Sequence, residues 1–177
     1  MTPDGPKTNF SRLLELAQKG EESVITRSSR PKARIEPRTK LPLTFLDTNI
    51  LVYAWDAKDQ RKQSISRNQI RRALVGEGVV SQQVLGELAA VLLHRMKPSV
   101  PASEVLLALD SLASIRLAPS GAGVVRRAVE AVTSFGIHFY DGLVVASAER
   151  GGCATLYSED LNHGQSYFGV VLVNPFL

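Results

Sequence analysis

The chain has 177 residues, 44% hydrophobic and 21% charged, with one cysteine, Cys153. A chain of that length supports one domain with a small appendage, and a lone cysteine excludes an intramolecular disulfide framework. No apolar run approaches the ~18–20 residues that span a bilayer, and Met1 to Pro6 does not read as a signal peptide. A soluble, cytoplasmic protein with no membrane partner is therefore expected. The net charge of +4 is uneven: the first 43 residues hold nine Lys/Arg and five Asp/Glu, and the rest hold twelve of each. A basic segment on a neutral body raises the prospect of a polyanion partner, with a merely solvated positive surface as the plain alternative.

The first stretch reads as a small unit of its own. Thr8 or Asn9 caps a helix on Phe10, Leu13, Leu14 and Ala17, and Gly20 stops it. Ser23 to Arg27 and Lys32 to Glu36 then read as two strands of a hairpin. One helix and one hairpin cannot bury a core alone. The expected division is an appendage over residues 1–37, a linker over 38–43, and a main domain over 44–177. In the main domain strands alternate with helices. Strands are expected at Leu43 to Leu46, Val79-Val80, Ile115 to Leu117, Ala154 to Tyr157 and Val170 to Val173. Helices are expected from Ile50 to Tyr53 and over 61–75, 82–96, 102–112, 121–134 and 141–150. Such alternation argues an α/β fold with a central parallel sheet flanked by helices.

In open parallel sheets, ligands bind outside the carboxyl ends of the strands. Asp47 stands directly after the first main-domain strand and Asp160 just after a later one. Asp141 opens a helix, and Glu87 sits on the flank of the apolar stripe formed by Val84, Leu85, Leu88 and Leu92. Each acid singly has an ordinary explanation as a cap, a turn residue or a surface charge. Together they converge on one rim. Two carboxylates 4 Å apart repel by about 4 kcal/mol at an effective dielectric near 20, so such a cluster calls for a cation or a proton. His94, His138 and His163 are scattered and Cys153 is alone, which disfavours zinc. An all-oxygen set suits Mg²⁺ or Mn²⁺, and with it metal-assisted phosphodiester hydrolysis. Thr48, Asn49 and Ser158 are placed to hydrogen-bond a metal ligand or a water, or simply to serve as turn and cap residues. Lys58, Arg61 and Lys62 are candidate contacts to substrate phosphates, or else part of a solvated helix face. No exposed aromatic row is legible, and Tyr53, Trp55 and Phe139 read as core.

Several motifs resemble a known family. Phe45-Leu46-Asp47-Thr48-Asn49-Ile50-Leu51-Val52-Tyr53, the helix entry from Ser81 to Glu87, and Tyr140-Asp141-Gly142-Leu143-Val144-Val145-Ala146-Ser147-Ala148 resemble the motifs of PIN-domain nucleases. Tyr157-Ser158-Glu159-Asp160-Leu161 with Val173-Asn174-Pro175-Phe176 resembles the ending of VapC-type toxins. The resemblance implies a PIN-like three-layer fold and a Mg²⁺-dependent endoribonuclease acting on tRNA or rRNA. It assigns metal binding to Asp47, Glu87, Asp141 and Asp160, and it implies a cognate antitoxin and a homodimer as partners. Lys7 to Leu14, Gly20-Glu21-Glu22, Val24 to Arg27 and Pro31 to Ile35 resemble the middle of a Phd/YefM-type antitoxin, which implies operator DNA as a partner of residues 1–37. That family's opening strand and toxin-wrapping tail are not legible here. Two other readings stand beside the nuclease: a DNA-binding regulator, and a fusion whose own appendage blocks the acidic rim.

Overall fold

In a computed structural model of the chain, residues 23–27, 30–35 and 42–177 are described. They fall into two units that divide between Leu41 and Pro42. The helix expected before Gly20 and most of the expected linker lie outside the described residues. In the first unit β1 (Ser23–Arg27) pairs antiparallel with β2 (Arg30–Ile35), so the second strand starts two residues earlier than expected. The register runs from Ile25↔Ala33 to Thr26↔Pro31, skipping Lys32. Proline has no amide hydrogen to donate to a ladder, which is why it stands at such an irregularity.

The second unit is α/β, with one six-stranded sheet in the order β5-β4-β3-β6-β8-β7. Its strands are β3 (Leu43–Leu46), β4 (Gly78–Val80), β5 (Arg116–Leu117), β6 (Cys153–Tyr157), β7 (Ser166–Tyr167) and β8 (Val170–Val173). All pair in parallel except β7 with β8. The sequence pattern does not reveal β7, a two-residue strand with no periodicity to detect. The turn behind it is explicit, because Phe168 and Gly169 both take positive φ, as a type I′ hairpin loop requires.

Helices α1 (Thr48–Tyr53) and α2 (Gln60–Arg72) lie between β3 and β4, and α3 (Gln82–Ala90) with α4 (Ala102–Ser111) between β4 and β5. After β5 come α5 (Ala122–Phe135), closed by the left-handed Gly136, and α6 (Phe139–Arg150). The core is continuous from the sheet into the helices: Phe45, Leu46, Val79, Val80, Leu156 and Leu172 join Ile50, Leu51, Val84, Leu88 and Leu92. Strand β3 lies between β4 and β6. The chain winds outward through β4 and β5 and then returns to the opposite side of β3 with β6 and β8. The crevice between β3 and β6 is therefore the topological switch point, where open α/β sheets place ligands.

Helix α6 is buried along most of its length. It packs on α5 so closely that a Cβ on Gly142 would stand 2.7 Å from the Ala128 carbonyl oxygen. Gly142→Ala is expected to cost about 1–3 kcal/mol, the usual penalty of overpacking. A lower urea midpoint with an unchanged slope is the signature to look for, and an unchanged midpoint would refute the close approach.

Candidate metal-binding rim at the switch point

Asp47 follows β3 immediately, and its amide donates to the Tyr157 carbonyl of β6 (3.0 Å), so it stands beside Ser158 at the strand ends. It also caps α1: Oδ1 accepts from the Thr48 amide at 2.6 Å. Oδ2 accepts from the Ser158 hydroxyl at 2.6 Å and from Asn49 Nδ2 at 3.3 Å. The ordinary role and the site role thus use different oxygens of one carboxylate. Asn49 Nδ2 also reaches Ser158 Oγ (3.2 Å) and Asp160 Oδ2 (3.0 Å). Three acceptors around the nitrogen fix the amide's orientation and leave Asn49 Oδ1 buried without a hydrogen-bond partner.

Glu87 arrives from α3, whose first turn is capped by Ser81 accepting from the Val84 amide (3.2 Å). Both of its oxygens are held: Oε2 by Thr48 Oγ1 at 2.6 Å and Oε1 by Gln83 Nε2 at 2.8 Å. Gln83 was missed in the sequence, although its spacing of four residues before Glu87 on one helix face was the available signal. Asp141 lies in the first turn of α6, whose N-cap is His138 rather than Asp141 itself. It is half-buried, whereas Asp160 is exposed.

The electrostatics tie these acids together. The Asp47 carboxyl is pushed up to about 6, chiefly by burial, with Asp160 and Glu87 adding to the rise and the Ser158 hydroxyl opposing it. Asp141 is raised as well, first by burial and then by Asp160, with Glu87 adding a smaller push. Among the described residues, none of the four acids forms an ion pair with a Lys or Arg.

The basic candidates stand elsewhere. Lys58 is exposed. Arg61 donates to the carbonyl oxygen of Phe176 at 2.7 Å, near the chain end. Lys62 pairs with Glu159 at 2.5 Å, donates to the Tyr53 hydroxyl at 3.1 Å, and lies 4.3 Å from the centre of the Tyr53 ring. The Tyr53 hydroxyl donates to the same carboxylate. Arg61 and Lys62 are thus engaged inside the molecule, and Lys62 ties α2 to the loop that carries Asp160.

Thr48, Asn49, Glu87 and Asp160 line an open cleft of about 710 Å³, whose other walls include Tyr53, Arg95 and Tyr140. Among the described residues no three His, Cys, Asp or Glu side chains enclose an ion on their own. A hard cation such as Mg²⁺ retains several waters and takes only a few protein oxygens. The unpaired acids and the orphaned Asn49 oxygen fit such an ion, and all the donors are oxygens.

The PIN-domain family model matches residues 44–167. The chain belongs to the PIN-domain family. No curated protein matches it significantly. Solved structures share the fold of this PIN domain at low identity. VapBC2 from Rickettsia felis, bound to a promoter DNA fragment, has a TM-score of 0.54 at 20% identity, covering 73% of this chain and 96% of that one. A toxin–antitoxin complex from Klebsiella pneumoniae has a TM-score of 0.55 at 15% identity, over 75% and 97% of the two chains. VapC20 from Mycobacterium tuberculosis, a sarcin-ricin loop cleaving toxin, has a TM-score of 0.51 at 20% identity, over 66% and 91%. Among the described residues no helix is long and apolar enough to cross a membrane.

Proposed function

We propose that this PIN domain is a VapC-type, Mg²⁺-dependent endoribonuclease that hydrolyses phosphodiester bonds in RNA, with tRNA or rRNA as its target. The observation that carries the reading is an unneutralised set of carboxylates, drawn from four separate segments, at the β3/β6 switch point. Asp47, Glu87, Asp141 and Asp160 would hold the ion, with Mn²⁺ as the alternative to Mg²⁺. When bound, such a cation supplies charge neutralisation at the phosphodiester and lowers the pKa of water. The chain's own residues do the positioning. Asn49 bridges Asp47 and Asp160 through one amide nitrogen. Ser158 holds Asp47, while Thr48 and Gln83 pin both oxygens of Glu87. These contacts limit the rotation of the Asp47, Glu87 and Asp160 carboxylates before any ligand arrives, which lowers the cost of assembling the site.

Around this site the same proposal places residues 1–37 as an antitoxin-like appendage, 38–43 as a linker and 44–177 as the nuclease, acting in the cytoplasm as a homodimer. A cognate antitoxin and operator DNA are its proposed partners, the DNA through residues 1–37. Low-identity neighbours solved as toxin–antitoxin complexes, one of them on promoter DNA, support that assignment.

The test is incubation of the full chain with total RNA in Mg²⁺, in EDTA, and with Asp141→Asn in Mg²⁺. Discrete fragments in the first reaction alone are expected. Fragments that persist in EDTA, or none with either Mg²⁺ or Mn²⁺, would reject the reading. Tight operator binding without cleavage would favour the regulator instead.

A further inference from the structure

The cleft beside the acids has a wall that the nuclease reading leaves unused. Tyr140 is 58% exposed, although it is the immediate neighbour of Asp141 and lines the cleft. Its ring stacks on His138, with centroids 5.7 Å apart and planes 25° apart, and meets Phe139 edge-on at 5.7 Å. Phe139 itself turns inward to pack beside Val124, Ala128 and Ala146. One ring of the pair is thus anchored in the fold, and the other is presented to solvent at the cleft with a backing plane behind it.

Arg95 completes the wall. It lies where α3 widens beyond Ala90 and the Met96 amide bonds the Val91 carbonyl five residues back (3.0 Å). Arg95 is exposed, and no ion pair or hydrogen bond to its guanidinium occurs among the described residues. Arg72 and Arg127, by contrast, are tied to glutamates. Arg95 therefore brings an uncommitted positive charge to a cleft otherwise lined by carboxylates and neutral groups.

We infer that Tyr140, backed by His138, stacks on an unpaired nucleobase flanking the bond to be cut, while Arg95 grips the adjoining phosphate. Aromatic faces hold single-stranded bases by stacking, and a guanidinium holds a phosphate through its fork of donors. A paired base within a duplex has both faces covered by its neighbours. Tyr140 thus makes an unpaired nucleotide a requirement for binding. This inference rests on RNA being the substrate, as proposed above.

Binding is measured in the Asp47→Asn background, so that cleavage plays no part, with Mg²⁺ present. The probe is a single-stranded RNA oligonucleotide carrying 2-aminopurine, whose fluorescence is quenched on stacking. Tyr140→Ala is expected to weaken binding about 5–150-fold, the range for loss of one stacked base, and to abolish the quench. Tyr140→Phe keeps the ring face and should retain both. Arg95→Gln should lower the salt dependence by about one phosphate contact while leaving the quench in place. Annealing the oligonucleotide to its complement should remove the advantage of Tyr140 over Ala. Equal affinity and quench with Ala at position 140 would overturn the inference, and so would a loss with Phe as large as that with Ala. Mg²⁺-dependent cleavage of total RNA by the parent chain tests the nuclease separately, so the two proposals can fail independently.

Discussion

Asp47→Asn is expected to eliminate RNA cleavage and, at the same time, to make the metal-free protein more stable. The two effects share one cause. Asp47 is 8% exposed, accepts from Ser158, Asn49 and the Thr48 amide, and forms no ion pair among the described residues. Burial dominates, so its carboxyl is displaced from 3.8 to about 6. A displacement of that size corresponds to about 3 kcal/mol held against the folded state at neutral pH. Asparagine is nearly isosteric and carries no charge, so most of that penalty disappears. With its oxygen kept on the Thr48 amide, its NH2 takes the place of the oxygen that accepts from Ser158 and Asn49, so those two bonds are lost or reversed, which leaves a net gain of about 1 kcal/mol. In a chain of this length each kcal/mol raises the melting temperature by about 2–4 °C. Removing a direct ligand should lower cleavage beyond the ~10–100-fold typical of groups that only orient one. Gel assays of total RNA and thermal melts in EDTA read the two effects separately. A variant that cleaves at the native rate, or melts lower than the parent at neutral pH, would refute the assignment of Asp47.

Why the sequence revealed some of this and hid the rest is a matter of range. The parallel sheet was legible because the short apolar runs at β3, β4 and β5 are each followed by a helical stretch, and that alternation admits few architectures. Asp47 and Asp160 were legible as rim residues because the first follows such a run directly and the second stands three residues after one. Thr48, Asn49 and Ser158 stood out as neighbours of those acids, but their partners did not. The bond from Thr48 to Glu87 joins residues 39 positions apart, and that from Ser158 to Asp47 joins residues 111 apart. Lys62 is the opposite case. On a helix with few apolar residues it reads as a solvated cation free to meet phosphate. Its partner Glu159 lies 97 residues away, and no local pattern announces it. Phe139 and Tyr140 are adjacent aromatics at the start of one helix, which composition cannot tell apart. Successive residues on a helix point about 100° apart, so one enters the α5–α6 contact and the other faces the cleft. The hairpin β7–β8 was hidden for a simpler reason: two residues carry no period.

The pH dependence of the metal-free fold gives the second large effect, and its sign follows from the direction of the shifts. Asp47 and Asp141 are both raised in the folded state. Between the unfolded value of 3.8 and about 6, the folded chain keeps a proton on Asp47 that the unfolded chain has lost. Folding therefore takes up protons in that window, and Asp47 makes the fold less stable as pH rises through it, with the raised Asp141 adding in the same direction. The Asp47 contribution is most favourable below about pH 4 and is spent above about pH 6, the reverse of an ion-paired carboxylate, and Asp141 acts in the same direction. A divalent cation bound by the rim acts on the ionised forms, so its stabilisation should be small near pH 5 and large near pH 7.5. At 100 times its dissociation constant the ion adds about 2.7 kcal/mol, or roughly 5–11 °C at the scaling above. Melts with and without millimolar Mg²⁺ at the two pH values provide the measurement. The difference between parent and Asp47→Asn isolates this carboxyl from other groups that titrate in the same window. Equal Mg²⁺ shifts at both pH values, or a shift undiminished in Asp47→Asn, would separate the ion from these carboxylates and place it elsewhere on the chain.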